Sequence, residues 1–254
     1  MKIGIIQGRL SPPTEGFQEC PVNWRREFDL LQDLGLNHIE WIITKDSFSS
    51  NPFFHEDVSD YSISSVCADN LVDERIHDLD FLQENLVPIC NAAIENNVEC
   101  VTIPLLEDSS VEDDVIRSKF CENITNITKK YPNLLFSFEA ELDLYKIYDI
   151  INLSENYRVT YDTGNMTSHG VNHEEYINTM KDKINNVHLK DRTYDAKTVR
   201  PLQGDTDFKK IFNCLKKFNY NGPFSLQTAR EKDGKEIQTI KKHMKELKVV
   251  YDES

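Results

Sequence analysis

The stretch "SFEAELDL", residues 137–144, ends an apolar run with two glutamates two positions apart. Residues two apart on a strand point the same way, so Ser137, Glu139 and Glu141 share one face while Phe138 and Ala140 take the other. Carboxylates crowded on one face are costly unless a cation lies between them. Three later runs repeat the division. Thr160 and Asp162 oppose Val159 and Tyr161; His188 and Lys190 oppose Val187 and Leu189; Ser225 and Gln227 oppose Phe224 and Leu226. A barrel wall explains this, with the apolar face against helices and the polar face toward the lumen. The polar set also falls late in each run, at the C-terminal mouth where barrel active sites lie.

Working outward, eight strand-like runs are found: "KIGIIQG" (2–8), "HIEWII" (38–43), "SISSVCAD" (62–69), "CVTIPLL" (100–106), "LFSFEAEL" (135–142), "RVTYDTGN" (158–165), "NVHLKDR" (186–192) and "PFSLQTAR" (223–230). Helical spacing separates most of them. Trp24, Phe28, Leu31 and Leu34 recur at helical intervals before Gly35, and Ile76, Leu79, Leu82, Leu86, Ile89 and Ala93 form a long stripe. The last helix carries Ile237, Ile240, Met244, Leu247 and Val250. Only 44–61 lacks a stripe and reads as a loop with at most a short helix. Alternating strands and helices imply parallel pairing, and eight units predict a (β/α)8 TIM barrel. One domain is expected over 1–254, with a reduced helix after strand two.

Composition fits one folded domain with a substantial core. Of 254 residues, 39% are apolar, and no low-complexity linker interrupts them. The six cysteines form no C-x-x-C pair, which predicts reduced thiols and a cytoplasmic setting. The opening "MKIGIIQGRL" does not read as a secretory leader, and no run approaches a membrane span. A net charge of −14 works against binding a phosphate backbone, so no nucleic-acid partner is expected.

Glu139, Asp162 and His188 come from three consecutive strands at one depth, with Gln227 as a neutral fourth oxygen from strand eight. Two carboxylates and an imidazole suit a divalent ion: Mn²⁺, Co²⁺, Mg²⁺ or Zn²⁺. A buried ionic network without metal is the competing reading, because Lys190 can neutralise the carboxylates itself. Arg9, Lys190, Arg192 and Arg230 follow strands one, seven and eight, which become neighbours on closure. They suggest a receptor for phosphate or carboxylate. The alternative is that Arg192 and Arg230 pair with surface acids such as Asp191 and Asp205. Glu40, at the end of strand two, is placed to hold a sugar hydroxyl or to pair with Arg9. Cys67 and Asp69 end strand three with inward parity; Cys67 reads as lumen packing, not as a nucleophile. "HGVNH" (169–173) reads as two solvated histidines. Trp41, Phe53 and Phe54 look exposed, a candidate lid or partner surface for a homodimer.

Taken in order, "IGIIQGRLSPP", "LGLNHIEWI", "FEAEL", "YDTGN", "VHLKDR", "GDTDF" and "GPFSLQTAR" resemble the sugar-phosphate isomerase/epimerase family of xylose-isomerase-like TIM barrels, over nearly the whole chain. The resemblance implies a divalent metal held at Glu139, Asp162, His188 and the position of Gln227. Two departures stand out. Relatives carry glutamate where this chain has Gln227, and use it with the strand-five glutamate as opposed bases. Ketose epimerases often carry histidine where this chain has Asn165.

The expected activity is therefore isomerisation or epimerisation of a phosphorylated or acidic sugar. Glu139 removes a proton beside a carbonyl, while the metal, or Lys190, stabilises the enediolate. A one-base 1,2-shift needs no glutamate at 227. Glu141 sets the charge of Glu139 or holds a hydroxyl. Two alternatives stay open: a sugar-phosphate-binding barrel silenced by Gln227, and an apurinic-site endonuclease. The latter would call for a metal cluster richer in histidine; of seven histidines only His188 is well placed.

Overall fold

The computed structural model describes residues 1–13 and 19–254. Eight strands form a closed parallel barrel: β1 (Lys2–Ile6), β2 (Ile39–Ile42), β3 (Ile63–Cys67), β4 (Cys100–Leu105), β5 (Leu135–Ala140), β6 (Tyr157–Asp162), β7 (Ile184–Leu189) and β8 (Pro223–Leu226). Their order is β1-β8-β7-β6-β5-β4-β3-β2. Between them run α1 (Arg25–Leu34), α2 (Leu79–Asn85), α3 (Val87–Glu95), α4 (Asp114–Thr128), α5 (Leu144–Ile151), α6 (Thr163–Ser168), α7 (His173–Met180) and α8 (Phe208–Lys217); α9 (Glu236–Asp252) follows β8. The alternation expected from the sequence is the architecture observed. After β2 there are only two three-residue 3-10 turns, Phe48–Ser50 and Pro52–Phe54.

Local chemistry sets the boundaries. α1 stops where Gly35 takes φ +68°, a left-handed conformation glycine adopts without strain. Asp113 caps α4 by accepting the N–H groups of Val115 and Ile116. Of the long stripe after β3, Ile76 lies in a 3-10 turn (Glu74–His77), and the rest is divided between α2 and α3 near Pro88, which has no N–H to continue a helix.

Two compact units make up the chain, Met1–Ile39 with Tyr161–Ser254, and Glu40–Thr160. In the second, Phe138 packs on Phe120 of α4 at 6.2 Å and on Tyr157 at 5.0 Å, while Ser137 on the opposite face hydrogen-bonds Thr160 at 2.7 Å. In the first, Phe224 meets Phe212 of α8 and Tyr251 of α9, and Tyr161 meets Tyr176 of α7. Ser225, opposite His188 in the register, hydrogen-bonds Asn186. The division of polar and apolar parity is therefore real.

Several expectations are corrected. β5 ends at Ala140, and half-buried Glu141 follows it, its N–H still donating to Leu105 O of β4. The run read as strand to residue 165 turns helical after Asp162, whose side chain caps α6 by accepting the Asn165 N–H. Trp41 and Phe53 are fully buried and only Phe54 is partly exposed. The Trp41 indole donates to Asn51 Oδ1 at 2.9 Å, so this is core rather than a lid or partner surface. Among the described residues, no helix is long and apolar enough to cross a membrane.

Candidate active site

Strand parity and capping bring Asp162 to the barrel's inner face. It is the last residue of β6 and the N-cap of α6. Its Oδ1 accepts the Asn165 N–H at 2.7 Å. Its Oδ2 is buried and accepts no hydrogen bond from the described residues. That oxygen lies 3.6 Å from Lys190 Nζ and 4.0 Å from His188 Nδ1. Ligand atoms of Glu139, Asp162 and His188 all lie within 4.8 Å of one another, and all three residues are buried. The residues present fit a divalent ion. They supply two carboxylates and an imidazole nitrogen, and the Oδ2 atom of Asp162 is desolvated without a hydrogen-bond donor to compensate. Gln227 follows β8, is buried, and donates its backbone N–H to Leu189 O.

Lys190 is positioned by residues whose role the sequence left unread. The Thr163 hydroxyl donates to Lys190 O at 2.6 Å and accepts from Lys190 N at 3.0 Å. A Cβ at Gly164 would lie 3.0 Å from Lys190 Cγ, so the missing side chain lets the lysine stem pass. Lys190 Nζ donates to Asn165 Oδ1 at 3.1 Å. "DTGN" and "HLKD" thus form one interlocking unit. The small-residue composition of "TG" beside a carboxylate was the available signal.

In Glu40–Thr160, Glu40 is fully buried and accepts from Thr102 Oγ1 at 3.0 Å. Asp69 begins a 3-10 turn after β3, and burial, with Glu139 and Glu107 adding to it, lifts its carboxyl to about 6. Burial, reinforced by Glu40, Asp69 and Glu139, pushes the Cys67 thiol well above its ordinary value. A thiol so held stays protonated, as expected for packing and not for a nucleophile.

The rim arginines have backbone partners. Arg9 Nη1 donates to Thr228 O at 3.2 Å, and Arg230 donates to Ser11 O at 2.9 Å and Gly8 O at 2.6 Å. Burial, and then Arg230, press the Arg9 guanidinium down to about 9. The turn that Arg230 grips, and that carries Arg9, is organised by Glu27, buried on α1, which accepts the N–H groups of Gly8 and Leu10 and the Ser11 hydroxyl. Glu27 gave no signal in the sequence. Half-buried Arg192 donates to Thr198 Oγ1.

The acids set aside for these arginines do other work. Asp191 accepts backbone N–H groups of Gln203, Gly204 and Thr206, and Asp205 accepts that of Tyr194. His173 is likewise no solvated residue. It is buried, bonded to the Tyr161 hydroxyl through Nδ1 and to Thr167 Oγ1 through Nε2. His169 is exposed, as expected, with its Nδ1 3.0 Å from Asn165 O.

Residues 124–249 match the family model described as xylose isomerase-like TIM barrel. A Haemophilus influenzae protein provisionally named L-ribulose-5-phosphate 3-epimerase SgbU is 33% identical over 110 residues, 41% of this chain and 38% of that protein. The match thus spans well under half the length of that relative. Among solved structures, an IolI protein with a bound zinc atom superposes with a TM-score of 0.73 at 16% identity, covering 99% of both chains. The 3-keto-D-glucoside 4-epimerase YcjR of E. coli, in its apo form, gives 0.70 at 17% identity, over 98% of this chain and 99% of that one. At such identities the likeness is one of fold.

Proposed function

Because residues 124–249 match the xylose isomerase-like TIM-barrel family model, we propose that the whole chain is one barrel domain of that family working as a sugar isomerase or epimerase. Its substrate on this reading is a small sugar, phosphorylated or acidic, and its reaction is proton transfer beside a carbonyl. The observation that carries the proposal is the convergence of Glu139, Asp162 and His188. These three, with Gln227, would hold a divalent ion. When bound, such an ion supplies Lewis acidity toward a carbonyl and its neighbouring hydroxyl.

The chain's own groups then account for the rest. A Glu139 carboxylate oxygen takes the proton from the carbon beside the carbonyl, and the C–H electron pair becomes the C=C bond of an enediolate. The carbonyl π electrons move onto oxygen, where Lys190 Nζ donates a hydrogen bond to the developing charge. The proton held on Glu139 exchanges with solvent, and Glu139 then delivers a proton to the former carbonyl carbon while the adjacent hydroxyl's proton passes to the former carbonyl oxygen, which completes a 1,2-shift with one base. Gln227 is neutral at any working pH, so it orients a hydroxyl and takes no proton. Glu40 and Glu141 would receive further hydroxyls. Arg9, Arg192 and Arg230, around the ends of β1, β7 and β8, would receive the anionic group.

The test is solvent exchange. Protein dialysed against chelator, then reloaded with Mn²⁺, Co²⁺ or Zn²⁺, is incubated in deuterium oxide with pentose and hexose phosphates and uronates. Metal-dependent incorporation of deuterium at one carbon is expected. Absence of exchange with every sugar, metal-loaded or not, would sink the reading. The buried Gln227 favours one alternative, a barrel that binds a sugar phosphate without turnover. Tight binding with no exchange would select it.

A further inference from the structure

The four residues 162–165 handle one lysine from every side. Thr163 fixes its backbone, Gly164 clears its stem, Asn165 Oδ1 accepts its ammonium at 3.1 Å, and Asp162 Oδ2 lies 3.6 Å from that same nitrogen. The ammonium is thus shared between a neutral amide and the carboxylate oxygen that no hydrogen bond occupies. A divalent ion on Asp162 would meet Lys190 as a like charge in a buried setting, where water screens poorly.

Resting on the metal reading above, we propose that Lys190 is a built-in competitor for the ion's position and that Asn165 is the hook that draws its ammonium away from Asp162. Without an ion, the ammonium donates to Asn165 at 3.1 Å and stays 3.6 Å from Asp162, close enough to supply positive charge to the carboxylates. With an ion, Asn165 holds it there and keeps it off Asp162. The hook suits the task because an amide oxygen accepts the ammonium without adding negative charge. It is also coupled to the carboxylate it serves, since the Asn165 backbone N–H binds Asp162 Oδ1 at 2.7 Å.

One consequence concerns the substrate. An anionic oxygen entering between ion and ammonium relieves their repulsion, so ion and substrate anion should strengthen each other's binding reciprocally. The site is then weak for metal alone and tighter once loaded with sugar.

The experiment measures Mn²⁺ affinity by equilibrium dialysis, with no substrate, on wild type, Lys190→Met, Asn165→Leu and the double variant. Lys190→Met should tighten binding about tenfold or more, since a like charge leaves a poorly screened site. Asn165→Leu should loosen it about fivefold or more by returning the ammonium to Asp162. The double variant should match Lys190→Met, because a hook has nothing left to hold. Ion affinity unchanged or weakened in Lys190→Met overturns the competition. Equal loosening by Asn165→Leu in both backgrounds overturns the hook. Should neither wild type nor Lys190→Met bind the ion, the metal reading falls as well. A tight wild-type site that is abolished by His188→Ala and indifferent to Lys190→Met sinks the competitor alone.

Discussion

The carboxylate of Asp191 fills the turn around Gly204: Oδ2 accepts the Gly204 N–H at 2.9 Å, and a Cβ on residue 204 would fall 2.3 Å from Oδ1. Asp191 is fully buried and cannot yield, because Gln203 N and Thr206 N hold it as well. Gly204→Ala should therefore lower stability by about 2 kcal/mol, the usual scale of overpacking against a fixed partner. Urea midpoints read the change. A midpoint matching wild type would show the turn to be soft.

His173 predicts an acid weakness. Burial first, then Lys210, holds its imidazole down to about 4, against an ordinary value near 6.5. Between those values the unfolded chain binds the proton and the folded chain does not. Stability should thus be flat above about pH 6.5 and fall by about 2–3 kcal/mol as pH drops toward 4. Denaturation of wild type and His173→Gln at pH 7.5 and 4.5 checks the sign, and the variant should show a shallower decline. Equal pH slopes would count against it.

Gln227→Glu restores a charged oxygen on the inner face after β8. On the proposed function it should tighten Mn²⁺ binding about tenfold and raise deuterium exchange by about 10-fold or more, the scale of an added general base. Dialysis and mass spectrometry of the recovered sugar read both. A variant with neither change would place residue 227 away from the chemistry.

Asn51 organises the segment after β2. Fully buried, it accepts from the Trp41 indole and Phe53 N and donates to Ile42 O. Asn51→Ala strands these groups without partners and should cost about 3 kcal/mol, read as a lowered thermal midpoint. A loss within about 0.5 kcal/mol would mean water replaces the amide.

Periodicity exposed the barrel and the inward carboxylates because both follow from strand parity, which survives any loop detail. Phe138 against Phe120 and Ser137 against Thr160 are that parity made physical. Strand ends were less legible. Asp162 serves both as the end of β6 and as a helix cap, and a capping side chain looks the same as any inward aspartate in a one-dimensional pattern. Trp41 and Phe53 misled because a segment lacking helical stripe resembles surface, although one asparagine can satisfy the polar groups of a buried turn. Asp191 accepts backbone N–H groups, and Glu27 accepts two of them beside the Ser11 hydroxyl; such groups carry no residue identity for a sequence to display.

The arginine straps at Arg9 and Arg230 join turns separated by 219 to 222 residues along the chain. Contacts of such span form late, after shorter loops have closed, because of the entropy of bringing distant segments together. Cutting the strap by Arg230→Met should therefore leave the refolding rate nearly untouched and speed unfolding, making this seam the place where the ring first comes undone.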